Sequence, residues 1–373
     1  MDRLTLVTIV GARPQFVKAA TVSRAVNAHN RTGDGPELVE YLVHTGQHYD
    51  HAMSQTFFDE LNIARPDENL GVGSGPHGAQ TARMLEALES VLTRNSHDAV
   101  LVYGDTNSTL AGALAAAKLH TPVFHVEAGL RSFNKAIPEE VNRILTDHVS
   151  SLLLCPTQTA VDNLRRESIT QGVHLVGDVM YDSVVHYRTQ ADGKTDPPDF
   201  QGLTAGGYLL ATVHRAENTD HREKLEAILS ALGEMGRTTP VILALHPRTR
   251  KLAQAHGLSI PETVQVVEPL PYLSMLRLQA NALGIVTDSG GIQKEAFFLG
   301  KPCLTVREET EWLETVEFGA NTLAGTDREI MRGWHNAVRQ GAFHMPEDVH
   351  PYGDGNAAGR IVETILDHFS HRT

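Results

Sequence analysis

The segment from Ile285 to Ala296 joins an apolar strand to a helix through polar residues and paired glycines, I-V-T-D-S-G-G-I-Q-K-E-A. At such a junction, free backbone N–H groups and the positive end of the helix dipole favour an anion. Ser289 adds a hydroxyl, and the absence of a Cβ at Gly290 and Gly291 lets phosphate oxygens approach the backbone. Glu295 follows within the first turns, where a carboxylate could bind both hydroxyls of a ribose. For S-G-G alone, a helix cap with a glycine turn and a solvated acid would be the favoured interpretation. Together with the motifs described below, the pattern favours a nucleoside diphosphate.

A second anion site is predicted where the first strand ends in G-A-R-P. Pro14 suits the first turn of a helix, and Arg13 and Lys18 are cations beside it. A single helix lysine is usually a solvated charge. The series of strand, glycine, arginine and helix-starting proline nevertheless favours a binding role.

Three carboxylates occupy positions close to strand ends. Asp105 follows V-L-V-Y-G, Glu127 follows V-F-H-V, and Glu139 lies after a proline in A-I-P-E-E-V-N-R. Because strand ends share one edge of an α/β sheet, these acids should converge. Any one of them alone would more often be a helix cap or a loop charge. Together with a downstream base, His214 in A-T-V-H-R-A-E-N, they favour proton transfer.

The elements that must position these residues alternate along the chain. Helical spacing in 79–93 and 108–118 separates short apolar runs, which indicates a parallel sheet covered on both faces. The pattern then restarts, so two doubly wound halves are predicted. The strand candidates are 4–10, 38–43, 99–103, 123–126 and 152–155, then 208–213, 241–245, 264–267, 283–286 and 303–306.

Two domains are expected, 1–190 with the acids and 191–373 with the diphosphate cradle. The polar stretch 191–207 is the predicted linker, and the last helical pattern, 357–369, is expected to close the fold by packing back on the first domain. A ligand is expected in the cleft between the halves. The glycine-rich tract 71–78 is interpreted as a lid or plain linker, since no strand directly precedes it and no Lys-Ser/Thr follows.

Composition limits the classes of function. The chain has 373 residues, about twice a typical domain, with 41% hydrophobic residues and a net charge of −13. That charge argues against a nucleic-acid partner. No apolar stretch approaches the ~20 residues of a membrane span, and no secretory leader follows Met1, so a cytoplasmic protein without membrane contact is expected. Cys155 and Cys303 lie in apolar runs and are interpreted as buried free thiols.

No cofactor or metal is predicted. His44, His48 and His51 fall close together, but without a recognisable zinc spacing. The first strand is not followed by G-x-G-x-x-G, so no bound nicotinamide is expected.

Several motifs occur together in one order along the chain. The chain resembles the non-hydrolysing UDP-N-acetylglucosamine 2-epimerases over nearly its whole length. These enzymes have the GT-B architecture, in which two Rossmann-like domains face each other across a cleft. They eliminate UDP across C1–C2 to give a 2-acetamidoglucal, and UDP then re-adds with the proton on the other face of C2. The motifs are G-A-R-P-Q-F-V-K, T-G-Q-H, Y-G-D-T-N-S-T, H-V-E-A-G-L-R, P-E-E-V-N-R, V-H-R-A-E-N, H-P-R and T-D-S-G-G-I-Q-K-E-A.

The resemblance implies an isomerase that converts UDP-N-acetylglucosamine to UDP-N-acetylmannosamine for surface polysaccharide precursors. A homodimer is expected. The implied catalytic set is Asp105, Glu127, Glu139 and His214. The implied substrate-binding set is Arg13, Lys18, Gln47, Ser289, Gly290, Gly291 and Glu295.

Two departures from the family pattern leave the sugar open. Ala12-Arg13-Pro14-Gln15 stands where Thr-Arg-Pro-Glu is common, and Thr310-Glu311-Trp312-Leu313-Glu314 replaces T-E-R-P-E. Both resemble the branch that acts on UDP-2,3-diacetamido-2,3-dideoxyglucuronate by the same mechanism. A GT-B glycosyltransferase is the alternative of another class, and it would share the S-G-G and Glu295 features. A protein that only binds nucleotide sugars would not need so many titratable groups.

Overall fold

Two units with separate parallel sheets make up the chain. The computed structural model describes residues 2–47, 60–61, 63–192, 203–343 and 349–370, apart from the side chains of Arg13 and Asp192. The first unit comprises Met1–Ser183 and His350–Thr373, and the second comprises Val184–Val349. The chain thus returns to the first unit after completing the second.

The first unit is built on a parallel sheet of short apolar strands. Its strands are β1 (Arg3–Val10), β2 (Glu37–His44), β3 (Glu68–Asn69), β4 (Ala99–Tyr103), β5 (Val123–Val126), β6 (Leu152–Cys155) and β7 (Val173–Leu175). The described strands lie in the order β3-β2-β1-β4-β5-β6-β7. Val10 pairs with His44 and Ile9 with Val102, so β1 is central. Its residues 6–10 are almost continuously buried, as expected of a strand covered on both faces.

Helices cover both faces of this sheet. They are α1 (Arg13–Thr32), α2 (His77–Arg94), α3 (Asn107–Lys118), α4 (Pro138–Val149), α5 (Gln158–Arg166) and α6 (Val179–Asp192). Helix α1 has Pro14 in its first turn and ends at Gly33, whose φ of 71° suits the left-handed position after a helix. Helix α3 is capped by Thr106, whose hydroxyl accepts from Thr109 N at 3.3 Å.

A well-packed core holds the first sheet to its helices. Val7 and Ile9 of β1 and Val102 of β4 pack with Met84 and Leu88 of α2, and all five side chains are fully buried. Each such side chain contributes about 1.5–3 kcal/mol of burial free energy. The sheet is therefore a rigid support for the loops at its ends.

The last helix of the chain belongs to the first unit. It spans Ala357–Ser370 and is labelled α7, because the helices of the first unit are numbered before those of the second. Asp182 caps it, because its two carboxylate oxygens accept from Ala357 N at 3.0 Å and Ala358 N at 2.8 Å. The helix packs against α1, and Phe369 contacts Phe124 with ring centroids 5.9 Å apart.

The second unit repeats the plan. Its strands are β8 (Leu209–Thr212), β9 (Val241–Ala244), β10 (Val264–Val267), β11 (Gly284–Thr287), β12 (Cys303–Thr305) and β13 (Asn321–Leu323), all parallel and in the order β10-β9-β8-β11-β12-β13 among the described residues. Its helices are α8 (Ala216–Thr219), α9 (Arg222–Gly236), α10 (Pro247–Ala255), α11 (Tyr272–Asn281), α12 (Gly290–Phe298), α13 (Leu313–Glu317) and α14 (Arg328–Arg339).

The prediction of two doubly wound, Rossmann-like halves is confirmed by these sheets. The division between the units falls inside α6, earlier than the expected boundary at 190/191, and most of the expected linker lies outside the described residues. Cys155 and Cys303 are free and buried, as predicted. No helix in the described ranges is long and apolar enough to cross a membrane.

Candidate functional site

Each sheet carries its candidate residues where the strand order reverses. That point lies between β1 and β4 in the first unit and between β8 and β11 in the second. Neighbouring connections there leave on opposite faces, so a crevice opens at the carboxyl ends of the strands. Asp105 and Glu127 follow β4 and β5, whereas His214 and Ser289 follow β8 and β11. In each unit these residues therefore lie where α/β sheets bind ligands.

Asp105 is held by helix α4. Arg143 donates from Nη2 to Asp105 Oδ2 at 2.6 Å, and from Nη1 to Glu140 Oε2 at 3.0 Å. Asn142 donates to the backbone oxygen of Asp105 at 2.9 Å. Because 30% of the Asp105 side chain is exposed, the carboxylate is accessible while paired with a guanidinium. The pairing with Arg143 also fixes the direction of the carboxylate.

Glu127 is a buried carboxylate paired with Lys18 of α1. Only 4% of its side chain is exposed, and Lys18 Nζ contacts its Oε2. Glu127 has a φ of 69°, a left-handed conformation that costs a residue with a Cβ about 1–2 kcal/mol. A Cβ on Gly104 would lie 3.2 Å from Glu127 Oε2 and 3.6 Å from Lys18 Nζ. The glycine, which itself has a φ of 62°, therefore leaves room for the ion pair.

The first turn of α4 carries two adjacent acids with different surroundings. Glu140 is buried and accepts from Ser132 N and Phe133 N, both at 2.9 Å. Burial alone would raise the pKa of Glu140, but the Ser132 N–H and Arg143 bond the carboxylate and lower it. Glu139 is half-buried. Glu140 is thus occupied in holding the preceding loop, so Glu139 is the one of the pair suited to contact a substrate.

The remaining candidate residues of the first unit are Arg13, Lys18 and Gln47. The side chain of Arg13 lies outside the described part of the chain, although its backbone begins α1. Lys18 contacts Glu127, so it lies with the acids. Gln47 accepts through Oε1 from Ser108 Oγ at 2.7 Å and Ser108 N at 3.2 Å, which fixes its amide at the start of α3.

Gln15, one of the departures from the family pattern, is a buried structural residue. Its Oε1 accepts from Gly11 N at 2.8 Å and Ala12 N at 3.0 Å. Its Nε2 donates to Tyr103 O at 2.7 Å and Thr109 Oγ1 at 3.0 Å. All its polar atoms are thus used inside the unit, where they tie the end of β1 to the end of β4.

The anion site of the second unit is predicted at the start of α12. Ser289 is its N-cap residue, and Gly290 and Gly291 are its first two helical residues. A Cβ on Gly290 would lie 2.6 Å from Glu311 Oε1 and 3.1 Å from Trp312 Nε1, so a side chain there would have to displace the Glu311 carboxylate. A Cβ on Gly291 would meet nothing closer than 3.9 Å, which leaves the backbone open to a ligand.

Glu295 is a buried acid with a strongly perturbed proton affinity. Burial raises its pKa to about 7, although Gln279, the charge of Lys294 and Tyr272 oppose the rise. Gln279 Nε2 donates to Glu295 Oε2 at 2.6 Å. Only the ionised form of this carboxyl group has two acceptor oxygens without a proton, which suits a pair of sugar hydroxyls.

Asp288 is a site residue that was not predicted. It is fully buried, and it accepts from His214 N at 3.0 Å, Arg215 N at 2.9 Å and Asn218 Nδ2 at 3.1 Å. Its Oδ1 also lies 3.3 Å from His214 Nδ1. Burial lowers the pKa of His214, while the charge of Asp288 opposes this and that of Arg215 adds to it. The sequence does contain a signal for Asp288, because this residue directly follows β11 in the motif T-D-S-G-G.

The unusual segment around Trp312 lies against the start of α12. Lys294 is 1% exposed, and its Nζ lies 3.9 Å from the centroid of the Trp312 ring. Arg307 donates to Glu311 at 3.1 Å and to Glu217 at 2.7 Å. Trp312 and Glu311 are thus placed next to the anion site, where they can affect which ligand fits.

A metal site has no support in the part of the chain that the structure describes. Within it, no group of three or more His, Cys, Asp or Glu side chains is arranged to hold an ion. His48 and His51 lie outside the described residues. His44 is buried and packs edge-on against Phe16, with centroids 4.9 Å apart.

Comparison with known proteins identifies close relatives of this chain. A family model described as UDP-N-acetylglucosamine 2-epimerase matches residues 31–366. A Pseudomonas aeruginosa protein named UDP-2,3-diacetamido-2,3-dideoxy-D-glucuronate 2-epimerase is 48% identical over 367 residues, 97% of this chain and 99% of its own. A Methanococcus maripaludis protein named UDP-N-acetylglucosamine 2-epimerase is 40% identical over 367 residues, 96% of this chain and 97% of its own.

The fold of this chain also matches that of a solved structure. The Methanocaldococcus jannaschii UDP-GlcNAc 2-epimerase, crystallised with UDP-GlcNAc and UDP, has a TM-score of 0.87 and 39% identity to this chain. The match covers 98% of this chain and 99% of that chain. The expected GT-B class of fold is confirmed by this match.

Proposed function

Because this chain belongs to the UDP-N-acetylglucosamine 2-epimerase family, we propose that it interconverts UDP-N-acetylglucosamine and UDP-N-acetylmannosamine by reversible epimerisation at C2. The enzyme is an isomerase. Its product would serve as a precursor of surface polysaccharide.

The reaction needs only proton transfer and a leaving group. A carboxylate removes the C2 proton, the C–H electron pair forms the C1–C2 double bond, and the C1–O bond breaks to release UDP. UDP then adds back to C1 of the 2-acetamidoglucal, and an acid delivers a proton to the opposite face of C2. One proton is lost and one gained, so no oxidant or reductant is required.

The observation that carries the proposal is the pair of carboxylates at neighbouring strand ends of the first unit. Asp105 is bonded to Arg143, and Glu127 to Lys18. Each cation holds its carboxylate in a fixed direction, which suits removal of a carbon-bound proton. We assign proton transfer at C2 to Asp105, Glu127 and Glu139.

UDP binding is assigned mainly to the second unit. The N–H groups at Ser289, Gly290 and Gly291 suit a diphosphate, and Glu295 suits the ribose hydroxyls. We assign His214, oriented by Asp288, to proton exchange with the leaving UDP oxygen. Arg13 and Gln47 remain proposed substrate contacts, whereas we assign Lys18 to the support of Glu127.

A second sugar is favoured by a specific observation. The P. aeruginosa relative at 48% identity is named for a 2,3-diacetamido glucuronate, and Trp312 lies beside the anion site. We therefore keep UDP-2,3-diacetamido-2,3-dideoxyglucuronate as the second candidate substrate. Gln15 gives no such support, because its amide bonds are all internal.

The test is turnover in deuterated water without any sugar acceptor. Each of the two UDP-sugars should give its C2 epimer with deuterium at C2, and the better substrate is the one with the higher kcat/KM. A glycosyltransferase would leave the C2 hydrogen in place. Asp105→Asn and Glu127→Gln should lose most activity but still bind UDP, whereas Asp162→Asn, at an exposed acid of α5, should behave as wild type. Full activity in both site variants would refute the assigned roles.

A homodimer is proposed through the outer face of α4. Val141 and Leu145, one helical turn apart, are 39% and 44% exposed, and Phe133 in the adjoining loop is 67% exposed. Apolar side chains grouped in this way mark a binding surface. Sedimentation should show a dimer that Leu145→Glu dissociates and that the control Ile330→Glu, at another exposed aliphatic residue, leaves intact. A monomeric wild type would end this proposal.

A further inference from the structure

His125 is a fully buried histidine of β5, two residues before Glu127. Its Nδ1 lies 2.7 Å from Asp147 Oδ1, and its Nε2 lies 2.7 Å from the backbone oxygen of Gly104. Both ring nitrogens are therefore within hydrogen-bond distance of an oxygen.

The partners of His125 decide its charge. The oxygen of Gly104 is a carbonyl and can only accept. Asp147 is also an acceptor, because its Oδ2 already receives hydrogen bonds from Arg131 Nη1 at 2.7 Å and Gly129 N at 3.1 Å. A neutral imidazole would turn a lone pair towards one of these oxygens. Both nitrogens must instead donate, so the ring is an imidazolium.

The surrounding charges balance this buried cation. Arg131 is bonded to Glu167 through two parallel hydrogen bonds of 2.7 Å each, and to Asp147. His125 and Arg131 thus face Asp147 and Glu167, two cations against two anions. Burial alone would raise the pKa of Asp147, but the charges of His125 and Arg131 lower it. Cys155 on β6 stays a neutral thiol, since burial raises its pKa.

The imidazolium bonds the turn that carries Asp105. The oxygen it binds belongs to the peptide that joins Gly104 to Asp105, and Gly104 N donates to Val126 O at 3.0 Å, next to Glu127. The same turn passes beside the Lys18–Glu127 pair. A single buried side chain is therefore linked to the backbone beside both acids.

We propose that His125 is a positioning residue that donates from both ring nitrogens and fixes the Gly104–Asp105 turn against the strand end of Glu127. The inference rests on the proposed proton-transfer roles of Asp105 and Glu127. A charge-assisted hydrogen bond is shorter and about twice as strong as a neutral one, so it holds the peptide more rigidly.

Nuclear magnetic resonance of ¹⁵N-labelled protein tests the charge without any assay of activity. Through-bond assignment should give His125 two ring N–H protons at pH 8. His97 is the matched control, because one of its ring nitrogens faces Asn95 O at 2.8 Å and the other faces a hydroxyl, Thr121 Oγ1, at 3.1 Å. Since that hydroxyl can donate, a single ring proton satisfies both contacts of His97. A single ring proton on His125 at pH 8 would overturn the proposal.

Kinetics test the positioning role. His125→Gln can replace only one of the two donors at a time, so kcat should fall about 10- to 100-fold, as for other misplaced catalytic groups, while KM changes less than about threefold. His97→Gln should keep kcat. In Asp147→Asn the charged acceptor of His125 is lost, so the ring should be held less firmly and kcat should fall with little change in KM.

The outcomes separate this inference from the proposed function. An inactive wild type with a doubly protonated His125 would refute the epimerase assignment and leave the charge state standing. An active wild type whose His125→Gln variant keeps full kcat would refute the positioning role alone. If His125→Gln does not fold, the Asp147→Asn variant decides, and an unchanged kcat in that variant counts against the role.

Discussion

Two candidate acids of the first unit are held by cations from different helices, Arg143 of α4 for Asp105 and Lys18 of α1 for Glu127. At a single position this means that a carboxylate is directed by a partner that need not touch the substrate. The sequence pattern and the resemblance both placed Lys18 at an anion site. Its contact with Glu127 favours a role in catalysis, and the two roles differ in what they predict.

Lys18→Met should therefore lower kcat at least tenfold while changing the Kd for UDP less than about threefold, because the charge acts on Glu127 rather than on the nucleotide. Steady-state epimerisation and calorimetric UDP titration measure the two quantities. Lys118→Met removes a lysine from the exposed end of α3 and should change neither. A loss of UDP affinity with unchanged kcat would return Lys18 to the nucleotide site.

Glu295 predicts a pH dependence of UDP binding. Its pKa of about 7 in the free protein means that much of it is protonated at pH 6 and ionised at pH 8. Only the ionised form can accept both ribose hydroxyls, so UDP should bind more tightly at pH 8. Glu295→Gln should bind weakly at both values. Any titration of the nucleotide itself is common to both proteins, so the difference in slope isolates Glu295.

Ionisation of Glu295, which favours UDP binding, should lower the stability of the ligand-free protein. The pKa of Glu295 in the folded state is raised from 4.5 to about 7. Its favourable contribution to the free energy of unfolding is therefore fully present below pH 4.5 and is lost as the pH rises through 7. At about 1.4 kcal/mol per pKa unit, the ionised buried carboxylate costs the ligand-free protein about 3 kcal/mol above pH 7. Urea unfolding should show Glu295→Gln to be more stable than wild type at pH 8 but not at pH 5. Equal gains at both pH values would contradict the assignment.

At the scale of elements, the turn after β4 joins the acids to the sheet. Gly104 has a φ of 62°, and a Cβ there would crowd Glu127 and Lys18. Gly33 at the end of α1 has a φ of 71° with nothing within 4 Å. The two glycines thus share a backbone conformation and differ in their neighbours.

Alanine substitution at these two glycines separates the cost of a positive φ from the effect of crowding against Glu127 and Lys18. Each should cost about 1 kcal/mol through the backbone. Gly104→Ala should in addition lower kcat, because the Glu127–Lys18 pair must move, whereas Gly33→Ala should leave kcat unchanged. Thermal unfolding and initial rates measure the two effects. Equal kcat in both variants would mean that the pair tolerates the shift.

The sequence predicted the long elements well and the short ones poorly. The predicted strands 99–103 and 123–126 match β4 and β5, since continuous apolar runs in an α/β pattern have few other solutions. Strands β3, β7 and β13 were not predicted. They have two or three residues each and lie at or near sheet edges, where polar residues such as Glu68 are tolerated and periodicity is too short to detect.

At the scale of the whole molecule, the residues at strand ends could be predicted because one edge of a parallel sheet collects them. Their supporting partners could not. Arg143 lies well beyond Asp105 along the chain, and Asp288 reaches His214 only because β11 pairs with β8. Such pairs depend on strand order and register, which a pattern of hydrophobic residues does not specify.

The cap that Asp182 places on the last helix affects how the protein is made. The first unit lacks α7 until residues 357–370 have been synthesised, after the whole second unit. Helix α7 covers part of the surface of α1. On the ribosome, that surface therefore remains exposed while more than 160 residues, 184–349, are translated. Nascent chains stalled near residue 349 should bind chaperones and yield to protease in the first unit, even where the second is already resistant.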